Sequence, residues 1–241
     1  MHNAALVPRI LACALYTCAT PPAPQARAYN HYLPAVRSEW VAIWDADEFV
    51  YGPNVTVGSH LRSLPLTTRQ VCLPWVVFGS GGAVEQPACV TAANVKRACM
   101  SDSMGKCVQR TAQIETAQIH RSVMKGETYA RRKAQGCTCG DGRPCSKRQG
   151  STCSAASQAC DAVKERTFAQ RNHLRLHHYI SQSKAHMQRR SQAGEADLYK
   201  RVRSKAYWRM LEAVYINRVQ DTSLAERSVC RTWAATAQAT R

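Results

Sequence analysis

Ser38-Glu39-Trp40-Val41-Ala42-Ile43-Trp44-Asp45-Ala46-Asp47-Glu48-Phe49 runs from bulky apolar residues straight into three acids within four positions. The apolar run Trp40 to Trp44 is short and β-leaning, which predicts a buried strand. It is apolar on both faces, as a central strand covered on both sides of an α/β sheet would be. The acids then fall at its carboxyl end, where open α/β sheets place their ligands. Asp45 and Asp47 are two apart, so in an extended backbone both point the same way. Two carboxylates aimed at one spot suit a hard divalent cation that also holds a phosphate.

These carboxylates stand out because the chain is basic. It has 241 residues, a net charge of +17 and 45% hydrophobic residues, with a pI near 9.7. The length suits one large domain or two small ones, with a sizeable core. The charge favours acidic partners: nucleic acid, anionic membrane surfaces, or phosphorylated and sugar-nucleotide ligands. No aromatic-studded RNA-binding segment and no zinc-finger spacing is present, so nucleic acid is not the expected partner. Twelve cysteines fit an oxidising, luminal compartment better than the cytosol. The sequon Asn54-Val55-Thr56 is compatible with that compartment. No stretch reaches the roughly 18 apolar residues of a membrane span.

Outward from the acidic run, Gln25 to Val36 carries a helical stripe of Ala28, Tyr29, Tyr32 and Leu33. Val57 to Leu64 predicts a short helix. Val71 to Phe78 predicts a strand, bulged or at an edge because Pro74 lacks a donor. Gly79-Ser80-Gly81-Gly82 follows as a flexible loop and candidate substrate contact. Lys106 to Arg110 predicts a short strand. Residues 136–160, with Cys137, Cys139, Cys145, Cys153 and Cys160, read as a cysteine-rich insertion holding disulfides or, less naturally, zinc. In His173 to Tyr179, Leu174, Leu176 and His178 share one face of a strand, and Arg175, His177 and Tyr179 the other. Ser181-Gln182-Ser183-Lys184 opens a basic helical segment that runs through Arg190. Ser204 to Val219 predicts a last helix, with Tyr207, Met210, Leu211, Val214 and Tyr215 as its packing stripe.

Several of these segments, in order, resemble glycosyltransferase family 92, the domain-of-unknown-function 23 group, with its family 2-like relatives. They are Glu39-Trp40-Val41 with Asp45-Ala46-Asp47-Glu48-Phe49, Trp75-Val76-Val77-Phe78-Gly79-Ser80, Lys106 with Val108, His178-Tyr179 with Lys184, and Asn217 to Asp221. The resemblance covers about residues 25–125 and 173–222. In the family, Lys precedes Ser after the tyrosine; here Ser183 precedes Lys184.

The resemblance implies a GT-A-like α/β fold with a mixed central sheet, spanning residues 25–228 and followed by a tail, 229–241. It implies transfer of a sugar, galactose being the family's best-known donor moiety, from a UDP-sugar to a glycan or glycoprotein acceptor with inversion. The cofactor would be Mn²⁺ or Mg²⁺, since a cation neutralises the departing diphosphate and an imidazole ligand favours Mn²⁺. The implied ligands are Asp47, Asp45 and His178, with His177 the competitor. Lys184, Lys106 and Arg110 would face diphosphate oxygens. Glu48 would orient the ligands or cap the next turn. Glu85 and Asp102 are the candidate general bases on the acceptor hydroxyl.

Family members carry more chain before the acidic motif than the 44 residues here. The domain is therefore expected to be incomplete at its N-terminus, with residues 1–24 a remnant strand or linker. A membrane anchor and Golgi location would then belong to the missing part. The alternatives are a catalytically silent remnant and a basic polyanion- or nucleic-acid-binding protein.

Overall fold

The computed structural model of the protein describes residues 24–100, 105–127, 160–193 and 205–227. The first half contains α1 (Pro24–Tyr32), β1 (Trp40–Ala42), β2 (Glu48–Tyr51), α2 (Val57–Ser63), β3 (Gln70–Leu73) and β4 (Trp75–Phe78). A short α3 (Val90–Ala93), β5 (Lys96–Arg97), β6 (Lys106–Arg110), β7 (Ile114–Thr116) and β8 (Val123–Met124) follow. The last segments hold α4 (Ala162–Arg171), β9 (Arg175–Tyr179), α5 (Lys184–Ala193), α6 (Lys205–Met210) and β10 (Val219–Gln220). Helices and mixed sheets make this an α/β structure.

Two sheets organise it. A three-stranded antiparallel sheet has the order β1-β6-β3, and a five-stranded sheet has the order β10-β5-β4-β9-β2. The second is mixed: β4 and β9 run parallel, and its other pairs are antiparallel. Pro74 explains why one apolar run serves both sheets. It cannot extend the ladder as a donor, so the predicted strand Val71 to Phe78 breaks there into β3 and β4. Its carbonyl still accepts from Leu176 N–H at 2.9 Å.

The opening stretch departs from expectation. It is not a central strand buried on both faces. β1 stops at Ala42 and lies at the edge of the three-stranded sheet, with all of Trp40 to Trp44 half-buried. The physical reason is that β1 pairs with β6 alone, over Trp40 to Ala42, so among the described residues its other edge has no strand partner. Val41 and Ile43 pack on Ile114, Ala117 and Met124, whereas Trp44 packs on Val71, Leu73, Leu174 and Leu176. The chain then turns at Asp45 to Glu48.

A third cluster of Val76, Phe78, Phe168 and Tyr179 joins α4 to the mixed sheet. The expected alternation in β9 is observed. Leu174 and Leu176 face the first cluster, and His177 and Tyr179 lie against Phe78 on the other side. Helix α2 starts at a reciprocal cap between Thr56 and Ser59, which satisfies two otherwise orphaned amides. The last helix is shorter than its periodicity predicts. After Met210 it widens into a π turn, Leu211–Ile216, which shifts the register of a 3.6-residue stripe. Trp208 and Ile216 are buried, Tyr207 and Leu211 are half-buried and Met210 is exposed, while the side chains of Val214 and Tyr215 lie outside the described residues.

Cys72 faces Cys107 across β3 and β6 and is bonded to it. Cys99 is bonded to Cys160 just before α4. Cys99, Cys160 and the Glu165 carboxylate lie close enough to hold a metal, but the disulfide removes both thiolates as ligands. Cys137, Cys139, Cys145 and Cys153 lie outside the described residues, as do most of the 136–160 insertion, residues 1–23 and the 228–241 tail.

Candidate functional site

The parallel pair β4 and β9 ends in two adjacent loops. Phe78 lies opposite Tyr179, so the glycine loop and the Ile180–Ser183 loop emerge side by side. On the far side of β9, β2 begins with Glu48 opposite His178. The Asp45–Asp47 turn therefore reaches the same end of the sheet, and Asp47 O accepts from Tyr179 N–H at 2.9 Å. The carboxyl ends of parallel strands are where α/β sheets bind ligands.

The turn is built around Glu48. Glu48 N–H donates to Asp45 O at 3.1 Å. The Glu48 carboxylate accepts from Asp45 N–H and from Trp75 Nε1, each at 2.8 Å. It lies 3.2 Å from Lys106 Nζ, which is fully buried and 2.7 Å from Asp45 Oδ2. Charges this deep are tolerated only when paired. Lys106, Asp45 and Glu48 thus form the internal brace of the turn.

Asp47 faces the other way. Its Oδ2 lies 3.7 Å from His178 Nε2 and 3.6 Å from Arg190 Nη1. The His178 ring leans on Trp75 at 4.9 Å between centroids, and Trp75 meets His120 edge-on at 5.3 Å. Burial alone would raise the Asp47 pKa, but contact with His178 and the Arg190 charge outweigh it and hold the carboxyl below its ordinary range. Asp47 is therefore ionised at neutral pH.

The two acids do not converge as their spacing predicts. They sit in a turn, not a strand, so the two-residue alternation does not apply. Asp45 is drawn to Lys106 and Asp47 to His178. Of the three expected ligands, Asp47 and His178 come together and Asp45 stands apart. They are 3.7 Å apart, wider than the roughly 3 Å between adjacent donors of an octahedral ion bound at about 2.0–2.1 Å, so the pair would draw closer on sharing one ion. Among the described residues, no third His, Cys, Asp or Glu closes this pair into a group of three.

His177, the competitor, is excluded from this face. It is fully buried between Tyr51 and Phe78, with ring centroids at 5.0 and 4.8 Å. Burial depresses its pKa to about 3, so it stays neutral. Lys106 is not at a diphosphate position, because it is sealed inside the brace. Arg110 is elsewhere, stacked over Trp40 at 4.4 Å and paired with Glu39. Lys184 is exposed at the start of α5, its N–H bonded to Ala83 O at 2.9 Å. Glu85 is exposed three residues beyond Gly82. Asp102 lies outside the described residues.

Arg190 and Glu212 are the polar residues that sequence reading did not select. Arg190 is one of 33 basic residues, and only the fold brings α5 back over Asp47. Glu212 is linked to Ser80 across 132 residues, a distance no local pattern reports.

Among the described residues, no helix is long and apolar enough to cross a membrane. No protein-family model matches the chain, and no curated protein matches it.

Proposed function

We propose that this chain is a glycosyltransferase domain of GT-A type that uses a divalent cation, Mn²⁺ or Mg²⁺, and a UDP-sugar donor. The carrying observation is the Asp47–His178 pair beside Arg190, at the carboxyl ends of a parallel strand pair that also bears the glycine loop. The order of motifs along the chain supports the same reading. A bound cation supplies Lewis-acid stabilisation of the leaving diphosphate. Asp47 and His178 would hold it, and Arg190 offers planar donors to phosphate oxygens. The brace of Lys106, Asp45 and Glu48 keeps the turn in place without touching substrate. Glu85 is the described candidate for taking the acceptor hydroxyl's proton as the new glycosidic bond forms and the diphosphate leaves. The acceptor is a glycan or glycoprotein, and galactose is the first donor sugar to test. The test is turnover of UDP-galactose with and without Mn²⁺. Activity that needs the ion and disappears in Asp47→Ala and His178→Ala supports the reading; metal-independent turnover, or none with any UDP-sugar, defeats it.

A polyanion-binding role is the second reading. It is favoured by α5, a ten-residue basic helix with no buried residue, since helices polar all round often serve solvent or partners. Such binding would weaken steeply with salt and survive Asp47→Ala.

A further inference from the structure

One carboxylate holds the glycine loop from beneath. Glu212, in the π turn after α6, accepts from Ser80 N–H at 2.9 Å and from Ser80 Oγ at 2.5 Å. It also accepts from Ser181 Oγ, in the loop after β9, and from Asn217 Nδ2 at 2.8 Å. Burial would raise its pKa, but these hydrogen bonds together lower it.

The same hub takes up the loop's amides. Gly81 N–H donates to Asn217 Oδ1 and Gly82 N–H to Ser80 Oγ, both at 3.1 Å. Gly79 N–H donates to Lys96 O at 2.9 Å. A Cβ on Gly79 would lie 2.5 Å from Asn217 Oδ1, so the close approach requires glycine there. Four successive amides are thus tied inward. Gly81 and Gly82 are exposed, with open space where a side chain would project.

Glycine loops bind phosphate through amides that point at the anion. This loop has turned its amides away and carries a carboxylate behind them, so both features oppose an anion. In a trans peptide each carbonyl points opposite to the following N–H; Gly82 N–H is held by Ser80 Oγ and Ala83 N–H by Ser80 O, which directs the Gly81 and Gly82 carbonyls away from those bonds, on two exposed residues. Ser181 joins this arrangement to the strand that carries His178.

We propose that Glu212 is the positioning residue that shapes Gly79–Gly82 into an acceptor edge, and that this edge binds the hydroxyl groups of a sugar and not a phosphate. The assignment deepens the transferase reading and rests on it for the presence of a sugar.

The test is nuclear magnetic resonance on the isotope-labelled full chain, following the Gly81 and Gly82 amides. Methyl β-galactoside and inorganic phosphate are added in separate titrations. Saturable shifts with the galactoside alone are expected. Glu212→Gln should weaken them at least about tenfold and speed amide exchange at Ser80 to Gly82 by a similar factor, the scale of losing a hydrogen bond to a charged group. Protection in β4 and β9 should stay unchanged. If Glu212→Gln does not fold, Ser181→Ala removes one donor from the hub and should give a smaller change in the same direction. Shifts caused by phosphate, galactoside shifts equal in both proteins, or exchange accelerated across all strands overturn the proposal. Mn²⁺ and UDP binding is a separate measurement. Its absence defeats the transferase reading and leaves the titration to decide this one.

Discussion

Asp45 and Asp47 look equivalent in the chain and occupy opposite environments in the fold. Asp47→Ala should remove cation binding while leaving the protein folded. Asp45→Asn should weaken cation binding less than Asp47→Ala does, because Asp45 is committed to Lys106 and acts on the turn, not on the ion. Lys106→Met should act on stability, since it leaves the buried Glu48 charge without its cation. Loss of about 3–5 kcal/mol is expected by chemical denaturation. Wild-type stability in Lys106→Met would contradict the brace. His177 makes a second prediction at this scale. Its pKa is about 3 in the fold against an ordinary 6.5, so the folded state binds fewer protons than the unfolded chain. Its contribution is complete above pH 6.5 and is lost as pH falls toward 3. His177→Phe should retain the fold and reduce the pH slope of stability in that window by up to one proton. An unchanged slope would show that His177 is charged or absent from the balance.

At the scale of elements, the legible parts were those with local causes. The stripe that starts α1, the short helix α2, the alternation of β9 and the basic helix α5 follow from short-range pattern, and the structure contains each, with α5 starting at Lys184 and not at Ser181. Pro74 was legible as an interruption, but not as the point where the chain changes sheets, because that depends on partners 30 to 100 residues away. The run Trp40 to Trp44 does show two apolar faces, but its edge position and its end at Ala42 depend on pairing with β6 alone, which composition does not report. The π turn after Met210 ends with Ile216 in the core, and periodicity assumes a register that such a turn breaks. The site followed the same division. The acidic turn and His178 were readable; Arg190 and Glu212 needed the fold. Gly105 supplies a test of an element. A Cβ there would lie 2.0 Å from Leu73 O and 3.0 Å from Trp75 N, at the junction where β3, β4 and β6 meet. Gly105→Ala should destabilise the protein by about 2–4 kcal/mol and loosen amide protection in β3 and β6 first. A neutral substitution would mean that the strands approach less closely than described.

For the whole molecule, two sheets share a boundary at Pro74, and the Cys72–Cys107 bond crosses the smaller sheet beside the Lys106 brace. The bond closes a sequence separation of 35, for which loop entropy gives about 3–4 kcal/mol. Reduction should therefore lower the melting temperature and, through Lys106, weaken cation binding at Asp47. Melting that is indifferent to reductant would contradict this coupling. The net charge of +17 is long-range and screened by salt, so it separates the two functional readings. Polyanion affinity should collapse as salt rises, whereas a cation held by Asp47 and His178 should bind nearly as well at 0.5 M as at 0.1 M salt. The most direct test of the central claim is calorimetric titration of Mn²⁺ and UDP into the wild-type chain, Asp47→Ala and His178→Ala. UDP should bind the wild type only with Mn²⁺, and both variants should lose this binding while melting normally. UDP binding without the ion, or binding that survives Asp47→Ala, would contradict it.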